Sequence, residues 1–401
     1  MFSRRTDWGH DVAPSHAGPR LRGAGDDPPA DLTVANPTRL GFEAPGRLLR
    51  FLAEVDARHY SPCSAGVPQA RAAVAEYHRG RGGLCEPDQV WLTASTSEAY
   101  AQLLAVTCDP GDAVLVPSPG YPLFDFLADV AGVHVERYGL EYDGTWFMPR
   151  SSVESAWQRC RGVGRRVGAV IAVAPSNPLG CYLRRDELDA LRALCIDADI
   201  TLVVDEVFAD YPVMPASSYV PTAVDQAAGL TVVLSGLSKV AALPQLKLAW
   251  GVATGDDSRV QALMHRLTRV SDLFLSVATP VQLALPQILE HLPAVQAEIR
   301  QRLRANYRVA IDRMAHAPIS VLPCEGGWSM LLRLPQVHDG LDRLAPTVNS
   351  DFAWATVLWQ SAGVVVQPAA LYGLAGPYVV VSLLTEPSRW QTGLDRLARL
   401  L

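Results

Sequence analysis

TVVLSGLSK, residues 231–239, decides how this chain is read. Thr231 to Leu234 is a β-branched and apolar run, and the small-residue turn Ser235-Gly236-Leu237-Ser238 closes on Lys239. A short unbroken apolar run is the pattern of a strand buried on both faces of a parallel sheet. The turn after such a strand stands at the carboxyl edge of the sheet, where open α/β folds put their ligands. An ammonium at the end of a core strand is costly unless its charge or a shifted pKa is used. The plain alternative is a lysine that snorkels from the strand end to water.

Three more apolar runs end on polar or aromatic turns. GDAVLVPSPGYP (111–122) reads as a strand from Ala113 to Val116 that leads to Tyr121. GAVIAVAPSNPLG (168–180) ends on Ser176-Asn177-Pro178-Leu179-Gly180. ITLVVDEVF (200–208) ends on Asp205-Glu206, and an acid after four apolar positions is expensive unless it meets a cation. Capping of the next helix is the other use for such an aspartate. WLTASTSEAYAQLLAVT (91–107) joins a short strand to a helix that begins near Ser95 and Thr96. The open N–H groups of that turn suit an anion, and Ser95-x-x-Glu98 also reads as a capping box.

Composition excludes several classes. A formal charge of −6 leaves no basic footprint for nucleic acid. Seven scattered cysteines without a CxxC pair predict reduced thiols and a cytoplasmic protein, with no disulfide framework or metal site. No apolar stretch is long enough to span a membrane and no secretory leader is expected. With 401 residues, 49% of them hydrophobic, the chain can bury a large core in two or three units.

Residues 1–30, rich in Gly, Pro, Arg and Asp, read as a poorly ordered or draped arm. Asn36-Pro37-Thr38-Arg39 predicts a turn, and apolar spacing predicts helices over 45–58 and about 184–197. Past residue 290 a charged helix precedes the short strands ISVLP, GWSMLLRLP, GVVVQP and YVVVSLL. The expected division is an arm and pocket segment (1–44), a large domain (45–290) and a small domain (291–401).

Residues 235–251, SGLSKVAALPQLKLAWG, resemble the pyridoxal-phosphate lysine signature of the class I/II aminotransferases. The "NP.G" turn at 177–180 is a second marker, and the resemblance spans roughly residues 30–401. It implies a fold-type-I α/β enzyme, with a mostly parallel seven-stranded sheet between helices and a smaller α+β C-terminal domain. By the same resemblance, Lys239 carries the cofactor as a Schiff base and Asp205 pairs with its pyridine nitrogen. Asn177 bonds the ring hydroxyl oxygen, and Tyr121 stacks on the ring. Ser95, Thr96, Ser238 and Lys247 hold the phosphate, with Ser276 and Thr279 as further donors near a partner's site. Tyr60 reaches the neighbouring subunit's phosphate in a homodimer with shared sites, and Trp328 faces the pocket. The implied substrates are an amino acid or related amine and a 2-oxo acid. Elimination, cyclisation or decarboxylation on the same cofactor is the rival chemistry.

Besides Gln245, where a small residue or Arg is common, three positions depart from the family's pattern. Phe208 replaces a tyrosine that donates to the cofactor's phenolic oxygen, which should raise the apparent pKa of the bound cofactor. Lys247 replaces an arginine and offers a point charge in place of a fork. Val380 replaces the arginine that clamps the substrate's α-carboxylate, so Arg39 in the NPTR turn is the candidate substitute. A substrate without an α-carboxylate, or one held by its distal end, is the other reading.

Overall fold

A computed structural model describes residues 3–8, 28–216, 218–336 and 350–401. Its centre is a seven-stranded sheet. The strands are β1 (Val90–Thr93), β2 (Ala113–Ser118), β3 (His134–Gly139), β4 (Val167–Val173), β5 (Thr201–Asp205), β6 (Leu230–Gly236) and β7 (Ala249–Gly255). Their order across the sheet is β1-β7-β6-β5-β4-β2-β3. Strands β3, β2, β4, β5 and β6 pair in parallel, and β7 runs antiparallel to both β6 and β1.

The continuous apolar runs are explained by the two faces. Leu202 and Val204 pack to one side of β5 and Val203 to the other, each into its own buried cluster. Helices α1 (Pro68–Arg79), α4 (Arg150–Gly162) and α5 (Arg185–Ala198) cover the first side. Helices α2 (Thr96–Thr107), α3 (Leu123–Ala131) and α6 (Asp257–Phe274) cover the second. A strand covered on both faces keeps no polar position except at its ends, so polar residues collect at the sheet edge.

After α7 (Thr279–Glu290), α8 (Leu292–Met314) leads into a second layer. There β8 (Ser320–Val321), β9 (Ser329–Arg333), β10 (Gln367–Pro368) and β11 (Tyr378–Ser382) form an antiparallel sheet ordered β8-β9-β11-β10. It packs with α9 (Ser350–Ala362) and α10 (Pro387–Leu400).

Two expectations need correction. The helix expected over 45–58 is broken into single turns, Ala44–Arg47, Leu48–Arg50 and Phe51–Glu54, with extended backbone at Val55. Pro45 and Gly46 disfavour a long regular helix there. The run GVVVQP is divided: Val364–Val365 pairs with Ala30–Asp31, and only Gln367–Pro368 joins the small sheet. The segment around Ala30 therefore packs with the C-terminal layer. Of the expected arm, residues 9–27 lie outside the described residues. Just before them Trp8 sits edge-on to Phe126 of α3 at 5.1 Å and donates to Asp129 Oδ2 at 2.9 Å.

Candidate active site

Register alone brings five expected residues to one edge. Asp205 ends β5 opposite Leu234 on β6 and Val173 on β4. Lys239 follows β6 by three residues and Asn177 follows β4 by four. On the far side of β6, Gly236 pairs with Ala249, and the Leu237 amide donates to the Leu248 carbonyl at 3.0 Å. Ser238 and Lys239 lie in the helical turn Leu237–Val240 just after β6, and Lys247 stands two residues before β7 begins at Ala249. Tyr121 stands on the loop after β2 with its ring exposed, and the Gly120 amide ties that loop to Tyr372 at 2.9 Å.

The Lys239 amine is half-buried against two aromatic faces. Its Nζ lies 5.0 Å from the Trp328 ring centre and 5.5 Å from that of Phe208. Burial holds its pKa below the usual lysine value, against the opposing pull of the Asp205 charge. The neutral amine, which a lowered pKa favours, is the form that attacks a carbonyl or takes a proton. The Tyr211 hydroxyl donates to the carbonyls of Lys239 and Val240 at 2.8 and 2.9 Å, which fixes the backbone beneath the amine.

Asp205 is 9% exposed, and burial pushes its carboxyl up to about 6. The Val207 amide donates to Oδ1 at 3.1 Å and the Tyr100 hydroxyl to Oδ2 at 2.9 Å; these bonds and the Lys239 charge oppose the rise. A cation brought to this carboxylate would be stabilised by it.

The anion end lies at α2. Ser95 Oγ accepts from the Glu98 amide at 3.1 Å, and the Glu98 carboxylate accepts from Ala94 at 3.0 Å, so the expected cap forms with a one-residue shift on the return side. The Ser95 O–H stays free to donate, beside amides of the first turn that no helix carbonyl can satisfy. Strand β1 ends at Thr93 opposite Ala249, which brings this turn to the edge that carries Ser238 and Lys247.

Trp328 is 2% exposed and walls the lysine, packed on Phe208 and Tyr211 with centroids 5.3 and 5.4 Å apart. Its turn is pinned across the layers: the Glu325 and Gly326 amides donate to the Gly180 carbonyl, and Arg184 pairs with Glu325. Gly180 has φ +75°, and a Cβ there would lie 3.0 Å from the Gly326 carbonyl oxygen. The glycine of the "NP.G" turn is thus required by backbone approach.

Other expected residues stand apart. Arg39 is exposed on the 3-10 turn Pro37–Arg39, whose cap is the Asn36 side chain accepting from Thr38. No described contact joins it to Lys239. Tyr60 is exposed on a loop tied to α6 by Ser64 Oγ donating to Asp272 Oδ1 at 2.8 Å. Val380 is buried among Leu179, Leu331, Trp146 and Leu374, an apolar setting. Sequence reasoning missed Tyr100 and Tyr211, and it gave Glu325 no role of its own in the turn expected to face the pocket. Each sits in or beside an apolar pattern that reads as packing, and a hydroxyl's acceptor leaves no trace in periodicity.

The aminotransferase class I and II family profile matches residues 31–386. The chain belongs to this family. Nicotianamine aminotransferase B of Hordeum vulgare is 25% identical over 84% of this chain and 60% of its own length. 1-Aminocyclopropane-1-carboxylate synthase 7 of Arabidopsis thaliana is 29% identical over 65% of this chain and 59% of its own length. The chain thus spans about 60% of each of these two curated relatives. The tyrosine aminotransferase of Leishmania infantum superposes with a TM-score of 0.82 at 19% identity, covering 94% of this chain and 92% of that one. An alanine aminotransferase of Pyrococcus furiosus gives 0.79 at 20% identity, covering 93% and 92%. These structures share the fold, a mostly parallel seven-stranded sheet with a smaller second layer.

Class I and II aminotransferases work with pyridoxal phosphate, and the residues present fit that group. An amine of lowered pKa would suit an aldehyde, a buried carboxylate with no salt bridge among the described residues would suit a ring cation, and the N-terminus of α2 would suit a phosphate. Among the described residues the buried hydroxyls of Ser235 on β6 and of Ser176, beside Asn177, have no hydrogen-bond partner.

Proposed function

We propose that this chain is a pyridoxal-phosphate-dependent aminotransferase that moves an amino group between an amino acid or related amine and a 2-oxo acid. The observation that carries the reading is the meeting of Lys239, Asp205 and the α2 N-terminus with Lys247 at one sheet edge. When bound, the cofactor supplies an electron sink for the carbanion at the substrate's α carbon. Lys239 Nζ is its covalent anchor and the base that moves the α-carbon proton. Asp205 holds the ring nitrogen's proton, Asn177 bonds the ring oxygen and Tyr121 covers one ring face. Ser95, Thr96, Ser238 and Lys247 take the phosphate. Phe208 and Trp328 shield the amine from water, which favours its neutral, reactive form. Trp328 also walls the substrate, and Arg39 meets its carboxylate in place of the missing clamp at Val380.

A homodimer with shared sites is part of the proposal. Leu273, Phe274 and Leu275 are 80%, 63% and 67% exposed in sequence, next to the loop that carries Tyr60. Three adjacent exposed apolar side chains on one protein surface support a partner there. Phe274→Asp should shift sedimentation from dimer to monomer and lower turnover together; a dimer of unchanged affinity would count against this face. Among the described residues no helix is long and apolar enough to cross a membrane, and seven free thiols support a reducing cytoplasmic setting.

The test of function is incubation with pyridoxal phosphate, a panel of amino acids and 2-oxoglutarate. Keto acid matched by glutamate supports transamination. Ammonia or carbon dioxide without them would favour the elimination or decarboxylation reading, and the cyclopropane synthase among the relatives makes a cyclised product worth assaying. Arg39→Ala in the same assay should raise KM for α-amino acids by about tenfold or more, the loss of a charged hydrogen bond.

A further inference from the structure

Asp205 receives one side-chain hydrogen bond among the described residues, from a tyrosine inside α2. The Tyr100 hydroxyl donates to Oδ2 at 2.9 Å while the Val207 amide holds Oδ1 at 3.1 Å. Tyr100 is 4% exposed, and Phe124 stands edge-on to its ring at 5.3 Å. The ring packs in the apolar layer between α2, α3 and the sheet, where phenylalanine would fill the space equally well. A hydroxyl there costs desolvation unless it has an acceptor, and its acceptor is the carboxylate that the chemistry needs.

We propose that Tyr100 is a positioning residue that holds the Asp205 carboxylate in one rotamer and in its charged form, a role that rests on the function proposed above. One helix then serves two parts of one ligand. Its first turn, at Ser95 and Thr96, faces the phosphate, and Tyr100, about 6 Å further along the axis, orders the acid under the ring nitrogen. Asp205 is also faced by Lys239 from beyond β6, whose charge favours ionisation, and by Tyr121 from beyond β2. Burial and the Asp205 charge keep the Tyr100 hydroxyl well above the usual phenol value, so it stays a donor.

The test compares the parent with Tyr100→Phe, which is nearly isosteric and keeps the packing. In the full chain before cofactor is added, the infrared band of the protonated carboxyl is followed against pH, with Asp205→Asn identifying the band. Losing a donor to the charged form should move its midpoint up by about one pH unit. After loading, kcat should fall about tenfold with little change in KM, and the acid limb of the kcat profile should move the same way. An unmoved midpoint in Tyr100→Phe, with the parent loaded and active, overturns this role alone. A parent that takes up no pyridoxal phosphate overturns the function and this role with it.

Discussion

Lys239→Ala is expected to fold and to lose turnover by about 10⁴-fold or more, the upper range for a positioned acid–base group. Lys247, the other lysine of this segment, is exposed and stands two residues before β7, and no contact among the described residues joins it to Lys239. Borohydride reduction of the parent with pyridoxal phosphate should attach the cofactor to the peptide that contains Lys239 and to no peptide of the variant. Stability should change little, because the variant loses a half-buried amine whose ionisation burial already opposes. Asp205 loses the positive charge that lowers it, so its carboxyl should titrate higher still. Turnover within tenfold of the parent would reduce Lys239 to a structural lysine.

Arg81→Leu is expected to cost about 3–5 kcal/mol of stability, the range for stranding buried charges. Arg81 follows α1 and meets Glu206 Oε2 at 3.2 Å and Asp210 Oδ1 at 3.5 Å, all three side chains nearly enclosed. It also donates to the Tyr77 hydroxyl at 3.2 Å, and Tyr77 donates to Asp210 Oδ2 at 2.6 Å. Without the guanidinium, Glu206 and Asp210 have no ion-pair partner among the described residues. Burial already raises the Glu206 carboxyl and the Arg81 charge opposes that rise, so without Arg81 it titrates higher still; the deficit is fully present above that raised value and shrinks as the pH falls through it. Urea midpoints measured at two pH values test both statements. Adding Glu206→Gln and Asp210→Asn should recover part of the loss, and an unchanged midpoint in the single variant would mean that water reaches the cluster. Glu206 follows Asp205 in the chain, so turnover should fall as the strand end relaxes.

Much of the site was legible because the edge of a doubly covered sheet is the one place where polar residues must gather. Asp205, Asn177, Ser238 and Lys239 each follow an apolar run, and strand pairing then sets them side by side. Tyr121 and the Ser95 turn were readable from a resemblance and from capping chemistry. Arg39 and Tyr60 were named on resemblance too, yet both stand exposed, and their proposed roles require a substrate or a second subunit.

Local chemistry along the chain was sufficient for the strand runs, their polar ends and the helix caps, whereas the family was read from a resemblance. Those features depend on period, burial and turn preference over a few residues. Contacts between residues far apart in the chain were beyond it: Tyr100 on Asp205, Trp328 on Lys239, Arg184 on Glu325, and Ala30–Asp31 beside Val364–Val365. A buried hydroxyl, indole or ion pair has the same pattern in sequence whether its partner is water or a catalytic side chain. Only the packing of sheet, helices and second layer chooses that partner, because desolvation forces each buried polar group to find one.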